Sequence, residues 1–358
     1  MKRIAGKDGL NNFSFFVQWH ITEKCNLACS HCYQQGIPQP EMSFYQIRES
    51  LGNVSDTINQ WSDIYDIPFD VSVNVTGGEP FVRTDLFEIL GEVCRHGFGV
   101  FLMTNGTLVT KEKAHMLQEL QVNGVQVSLE GPETVHDGIR GRNSFASALN
   151  GIEHLLSEKL DVTLNATLSD INAPYWKDIV KIAKDKGVKR VGFSRLVPNG
   201  KGANLLKSMI SACKMKKIYE EIASMSIPGL DIMSGDPLAS QTEEIIQDYV
   251  GGFPDGGCAA GFSGLTLMTD GTITPCRRIG IPVGNILKDS LRKIWVTSDV
   301  LNALRDKKAY KGKCGSCRRW AMCRGCRAVA YAYSVAHGRN DLFEEDPQCF
   351  CYSGEMIA

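Results

Sequence analysis

A chain of 358 residues is longer than one ordinary core serves and suits two domains. Its 43% hydrophobic and 22% charged content is that of a globular protein, and its net charge of -1 gives no electrostatic case for binding nucleic acid or an anionic membrane surface. No apolar run is long enough to span a bilayer, and residues 1–8 carry basic side chains with no apolar stretch behind them, so neither a membrane span nor a signal peptide is expected. The expected compartment is the cytoplasm, where thiols stay reduced, and there thirteen cysteines read as metal ligands rather than a disulfide framework.

After an N-terminal extension, 1–12, short β-rich runs at 15–19, 71–75, 100–103, 125–129, 162–166 and 190–194 alternate with longer helical stretches. That alternation predicts an α/β region over 13–205, with parallel strands joined by right-handed crossovers. Six strands are too few to close an eight-stranded barrel. Residues 206–250 read as linker helices, and 251–358 as a small cysteine-rich domain.

The first strand leads into Thr22-Glu23-Lys24-Cys25-Asn26-Leu27-Ala28-Cys29-Ser30-His31-Cys32-Tyr33. The C-x3-C-x2-C spacing supplies three thiolates from one loop. Four thiolates would close a four-iron cluster, whereas three leave one iron open to another ligand. A structural zinc site would instead call for four protein ligands from paired knuckles. His31 inside this loop reads as a packing residue, since imidazole is an uncommon ligand for such a cluster.

This string resembles the signature of the radical S-adenosylmethionine (radical SAM) superfamily. The resemblance implies a partial (β/α)6 barrel, and a 4Fe-4S cluster whose open iron is chelated by SAM. Reductive cleavage of SAM then yields methionine and a 5'-deoxyadenosyl radical. Polar motifs follow the strands, where α/β folds place their sites. Thr76-Gly77-Gly78-Glu79-Pro80 is similar to the family's GGEP motif, with Glu79 suited to the SAM ammonium. Thr104-Asn105-Gly106 is similar to its TNG turn. Ser128-Leu129-Glu130-Gly131 and His136-Asp137-Gly138-Ile139-Arg140-Gly141 resemble a motif pair that places Ser128 and Arg140 at the SAM carboxylate or ribose. Tyr33 is implied near the adenine, and Asn165 and Arg195 at the cofactor.

Beyond residue 250, Cys258-x12-Gly271-x4-Cys276, then Cys314-x2-Cys317-x5-Cys323-x2-Cys326, then Cys349, is similar to the SPASM domain, with x2 in place of the usual x3 before Cys326. The resemblance implies two auxiliary 4Fe-4S clusters, three clusters in all. Cys314, Cys317, Cys323 and Cys349 would hold one, with Cys351 an alternative to Cys349. Cys258, Cys276 and Cys326 would hold the other, with three ligands visible. Arg277, Arg278, Arg318, Arg319, Arg324 and Arg327 lie among these thiols. They either offset cluster charge or bind substrate carboxylates.

The reaction implied is hydrogen abstraction from carbon by a radical SAM/SPASM enzyme. The first expected substrate is a ribosomally made precursor peptide, cross-linked or epimerised, with a flavodoxin or ferredoxin as reductant. A haem-pathway tetrapyrrole decarboxylase is the second reading, from the strings Cys323-Arg324-Gly325-Cys326-Arg327-Ala328 and Asp346-Pro347-Gln348-Cys349. A non-catalytic iron-sulfur carrier is the third, and the SAM-type motifs weigh against it. A sulfatase-type oxidase is disfavoured because Arg277 stands where those relatives carry an aspartate base. Cys213, apart from every cluster motif, reads either as a buried small hydrophobe or as a thiol returning hydrogen to a peptide Cα radical.

Overall fold

The computed structural model describes residues 13–34, 36, 39–243 and 256–351. The N-terminal extension and the end of the expected linker lie outside the described residues. From the amino terminus, β1 (Phe13–His20), α1 (Phe44–Tyr65), β2 (Phe69–Thr76), α2 (Leu86–Arg95), β3 (Gly99–Thr104), α3 (Lys111–Glu119) and β4 (Gly124–Ser128) begin a strand-helix repeat. It continues through α4 (Glu133–Arg140), α5 (Ser144–Ser157), β5 (Val162–Leu168), α6 (Trp176–Lys186) and β6 (Arg190–Arg195). Helix α1 shows why these segments fold locally. Ser43 and Gln46 close a reciprocal capping box at its start, and Ile47, Leu51, Val54, Ile58 and Trp61 recur at helical spacing on its buried face.

Period-2 alternation separates the two faces of the sheet. Val71, Val73 and Val75, Val100 and Leu102, Val125 and Val127, and Val162, Leu164 and Ala166 are buried in the main core with the helices. Ser72 and Asn74, Gln126 and Ser128, and Thr163, Asn165 and Thr167 alternate with them and are only half-buried. Parallel sheets usually read as apolar on both faces because both are covered. A polar, partly open second face therefore marks the side left for a ligand.

The sheet is wider than the six strands expected. Helix α7 (Ala212–Ser224) is followed by β7 (Asp231–Ser234), which extends the sheet beyond β6, and β8 (Gly264–Leu267) pairs with β1 at the other side. The order is β10-β9-β8-β1-β2-β3-β4-β5-β6-β7, where β9 (Thr272–Thr274) and β10 (Gly284–Asn285) are antiparallel and the other eight strands parallel. Thus 206–250 is not only linker helix, and 251–358 supplies three strands, β8 to β10, to the first region's sheet. The two added parallel strands, β7 and β8, are four residues long and lack an alternation of buried and polar positions: β7 has no buried residue, and β8 is buried throughout and begins with glycine.

Helices α8 (Leu291–Thr297), α9 (Asp299–Arg305), α10 (Gly312–Ser316) and α11 (Arg327–Ala336) complete the second region. A small core of Ile279, Leu301, Leu304, Ala328, Val329 and Leu342 lies among them. The regions are joined by apolar and polar contacts. Phe15, Trp61 and Trp295 pack with ring centroids 5.3 to 5.7 Å apart, and the Asn53 amide donates to the carbonyls of Ile286 and Asp289.

Arg195 makes the most enclosed join. It is 1% exposed, and Nε donates to Asp236 at 2.7 Å while Nη1 and Nη2 clasp Asp346 at 2.9 and 2.7 Å. Nη1 also donates to Gln348 at 2.8 Å. Expected at the cofactor, Arg195 is instead spent on tying β6 to the loop after β7 and to the second region. Replacing it by methionine leaves two buried carboxylates uncompensated. The Arg195→Met chain should lose about 3–5 kcal/mol of stability, read from urea unfolding of both chains by tryptophan fluorescence.

Candidate functional site

The cysteine loop leaves β1 without helix or strand of its own, so its backbone groups must be satisfied by neighbours. The Gly77-Gly78 segment supplies two donors: Gly78 N–H to the Thr22 carbonyl at 2.8 Å, and Glu79 N–H to the Lys24 carbonyl at 2.9 Å. A Cβ on Gly77 would lie 2.4 Å from the Thr22 oxygen, and one on Gly78 2.1 Å from the Lys24 oxygen. These glycines are needed for close approach to the cysteine loop itself.

Glu79 is buried and accepts from Phe81 N–H at 3.2 Å, Thr104 Oγ1 at 2.8 Å and Asn105 N–H at 2.7 Å. Burial pushes its carboxyl up, and these donors work against that rise. Pro80 starts the short turn that follows. The Asn105 amide donates to Asn26 at 2.9 Å and points to Cys25 Sγ at 4.0 Å. The two motifs thus lock to each other and to the loop.

Glu130 braces the other flank. Its Oε1 accepts from Arg140 Nε and Nη2 at 3.0 and 2.6 Å and pairs with His31 Nε2 at 2.9 Å. Its Oε2 accepts from Thr167 N–H at 2.9 Å and the Asn172 amide at 3.3 Å. Burial alone would raise its carboxyl, but Arg140 and His31 hold it well below the usual carboxylate range. His31 is therefore a bonding partner rather than packing. Arg140, expected at the SAM carboxylate or ribose, commits Nε and Nη2 to Glu130 and turns Nη1 to Cys29 Sγ at 3.9 Å. Ser128 and Asn165 sit opposite each other in register on the polar face, with the Asn165 amide donating to Ser194 at 3.4 Å.

Below Cys32, the Tyr33 hydroxyl shares a 2.9 Å hydrogen bond with His20 Nε2. Burial pushes the imidazole of His20 down and the Tyr33 phenol up, which keeps both neutral. Arg277 reaches this place from the second region. Its Nη1 donates to Gln18 Oε1 on β1 at 2.7 Å, and its Cζ lies 5.8 Å from the Tyr33 ring centre.

In the second region Cys314, Cys317, Cys323, Cys349 and Cys351 line one pocket. Cys351 bonds to both Cys317 and Cys349 and brings them down to about 6 and about 7. Cys258, Cys276 and Cys326 pack around the small core. Among the described residues no three His, Cys, Asp or Glu side chains converge as around a single metal ion. The fit to iron-sulfur groups rests on donors aimed at sulfur: Leu27 N–H at Cys25, Gln241 Nε2 at Cys323 and Cys349, Gly325 N–H at Cys323, and Arg327 Nη2 at Cys314, all at 3.4 to 3.6 Å. Burial pushes the thiols of Cys323 and Cys326 up to about 12, so a metal is the partner that would draw off their protons. These residues fit such groups.

Cys213 is exposed. It lies on the face of α7 opposite Met215, Ile218, Tyr219 and Ile222, which are buried. It is neither a core hydrophobe nor a sheltered hydrogen donor. The carboxylates that organise the site, Glu130, Asp236 and Asp346, carry no role that the sequence alone assigns, although Glu130 and Asp346 both stand inside recognised strings.

The glycine contacts give a direct test. Gly78→Ala should displace the cysteine loop and lower iron bound per chain by about one 4Fe-4S cluster after reconstitution, without removing the iron held by the second region. Iron and sulfide analysis of the variant beside the unmodified chain checks this.

The radical SAM superfamily matches residues 19–173, and the SPASM iron-sulfur cluster-binding domain matches residues 258–327. The AdoMet-dependent heme synthase of Oleidesulfovibrio alaskensis is 27% identical over 93% of this chain and 86% of its own. Mycofactocin maturase MftC of Mycolicibacterium smegmatis is also 27% identical, over 93% of this chain and 82% of its own. Among solved structures, Streptococcus suis SuiB bound to S-adenosylmethionine shares the fold over 96% of this chain and 78% of that one, with a TM-score of 0.72 at 15% identity. The matched regions carry the cluster-motif cysteines set out above except Cys349 and Cys351, and the chain thus holds a radical SAM domain followed by a SPASM domain, an enzyme architecture that implies 4Fe-4S clusters and S-adenosylmethionine.

Proposed function

We propose that this enzyme abstracts a hydrogen atom from a carbon of a ribosomally made peptide, leading to a cross-link or an inverted stereocentre. The observation that carries the reading is the three-thiol loop, braced on both flanks, set at the carboxyl ends of strands whose second face is polar and half-open. When bound, the cluster on Cys25, Cys29 and Cys32 together with SAM supplies a 5'-deoxyadenosyl radical. Gly77, Gly78, Glu79, Pro80 and Thr104 hold the loop in shape, and Tyr33, Ser128 and Asn165 are the side chains left facing the cofactor space. Two further clusters, on Cys314, Cys317, Cys323 and Cys349 or Cys351, and on Cys258, Cys276 and Cys326, make three, with a flavodoxin or ferredoxin as electron source.

Polar side chains along the second face suit a peptide backbone, whose amides need hydrogen-bond partners, better than a macrocycle that seeks apolar walls. The relative named a mycofactocin maturase supports a peptide. The tetrapyrrole reading remains the second, supported by the relative named a heme synthase at equal identity.

Two measurements test these readings. Replacing Cys25, Cys29 and Cys32 together by alanine should abolish 5'-deoxyadenosine formation while iron stays in the second region. Continued formation would overturn the assignment. Mass spectrometry of a candidate peptide co-expressed with the enzyme should show loss of two hydrogens for a cross-link, or deuterium gained from solvent without mass loss in water for epimerisation. Loss of carbon dioxide from a porphyrin would establish the second reading instead.

A further inference from the structure

The arginines of the second region divide by what they touch. Arg319 donates to the carbonyls of Ser240 and Glu243, and Arg324 to those of Cys258 and Ala321. Arg327 bonds the Leu342 and Glu344 carbonyls and Cys314 Sγ, and Arg278 turns to the thiols of Cys326 and Cys276. Backbone carbonyls and sulfur hold all four in place, although Nε of Arg278, Arg319 and Arg327 is buried without a partner.

Arg277 differs. Although it adjoins Cys276, its guanidinium crosses to the first region and donates one Nη1 hydrogen to Gln18. Gln18 is itself held, because its amide nitrogen donates to the Asn74 carbonyl at 3.0 Å and contacts Met103 Sδ at 3.3 Å. Its oxygen is thereby fixed toward Arg277. Among the described residues no carboxylate lies within ion-pair distance of Arg277, and its Nε and Nη2 have no protein acceptor. The group is half-buried, beside the Tyr33 ring that follows Cys32. A partly desolvated guanidinium held at one corner, with its other edge unfilled, is preorganised for a planar anion.

We infer that Arg277 is a substrate-binding residue that clasps a carboxylate of the substrate, through Nε and Nη2, beside Tyr33. The inference rests on the reading of the chain as a substrate-modifying radical enzyme and narrows its substrate class to molecules bearing a free carboxylate, whether a peptide carboxyl terminus or a porphyrin propionate. It also accounts for this position carrying a cation: an arginine there draws in an acid and offers no base, whereas an aspartate would repel one.

Binding is measured on the reconstituted protein with two pairs of probes: coproporphyrin III against its tetramethyl ester, and a synthetic pentapeptide library with free carboxyl termini against the same library amidated. The wild type should prefer the acid in one pair, and that pair identifies the source. Arg277→Gln should weaken the preferred acid about 10- to 100-fold, the loss of one charge-assisted pair, and leave the neutral derivative unaffected. Arg277→Lys keeps the charge but not the fork, should retain part of the preference, and carries the same test if the glutamine chain does not fold. No acid preference in the wild type, or a preference undiminished in both variants, overturns the proposal. Failure of the wild type to form 5'-deoxyadenosine would overturn the radical reading and leave this binding difference to be read alone.

Discussion

The arrangement depends on one buried carboxylate. Glu130 receives five donors from four parts of the chain: His31 of the cysteine loop, Arg140 at the end of α4, the Thr167 backbone on β5, and Asn172 beyond it. An ionised carboxylate enclosed without partners would cost several kcal/mol. With these partners it stays charged and draws together elements that hydrophobic burial alone would leave free to slide. The cysteine loop has little else to define it. Its backbone is tied to Gly78 and Glu79 on one side, to Ile139 through Ser30 on another, and to Gly202 through Cys32 on a third. A loop holding three thiols must keep them apart at fixed spacing, and each tie comes from a different crossover of the sheet.

A second constraint acts across the two regions. Because β8 pairs with β1, the cysteine-rich region begins as an added strand of the same sheet, directly beside the strand that delivers Cys25. At the far side Arg195 joins β6 to Asp346, and Asp346 in turn accepts from the Cys326 backbone at 2.8 Å. The same carboxylate thus orders a proposed cluster ligand and the interregional clamp. Groups that exchange electrons need unchanging separation, and a continuous sheet with a buried ion clamp provides it better than a linker would.

The radical SAM and SPASM character of the two regions was legible in the sequence because thiol spacing and glycine pairs are local signals. The six principal strands were legible too, being rich in valine with clear alternation. β7 and β8 were not, since four residues carry too little period to separate strand from loop, and only pairing with neighbours defines them. Arg195 looked like any polar residue at a strand end, and its three partners lie 41 to 153 residues away. The turn at Pro198–Gly202, glycine-rich but without the spacing of a phosphate loop, owes its glycine to backbone approach: a Cβ on Gly200 would lie 2.4 Å from the Gln34 carbonyl. Cys213 shows the opposite error, a reactive residue type that carried more meaning in the string than its exposed place on α7 supports.

Charge around Tyr33 follows from burial as much as from sequence. His20 is fully enclosed, and desolvation drives it toward the neutral imidazole even with Glu23 3.6 Å from Nδ1. Tyr33 is likewise held protonated by burial. Two titratable groups next to the cysteine loop thus contribute dipoles rather than charge, and Arg277 supplies the positive charge facing them. A neutral Tyr33–His20 pair avoids the repulsion that an imidazolium would add to the guanidinium. It also leaves the pull of Arg277 on an incoming anion undivided. Gln18 completes the arrangement, because an uncharged acceptor fixes the arginine in place without neutralising it, as a carboxylate on β1 would have done.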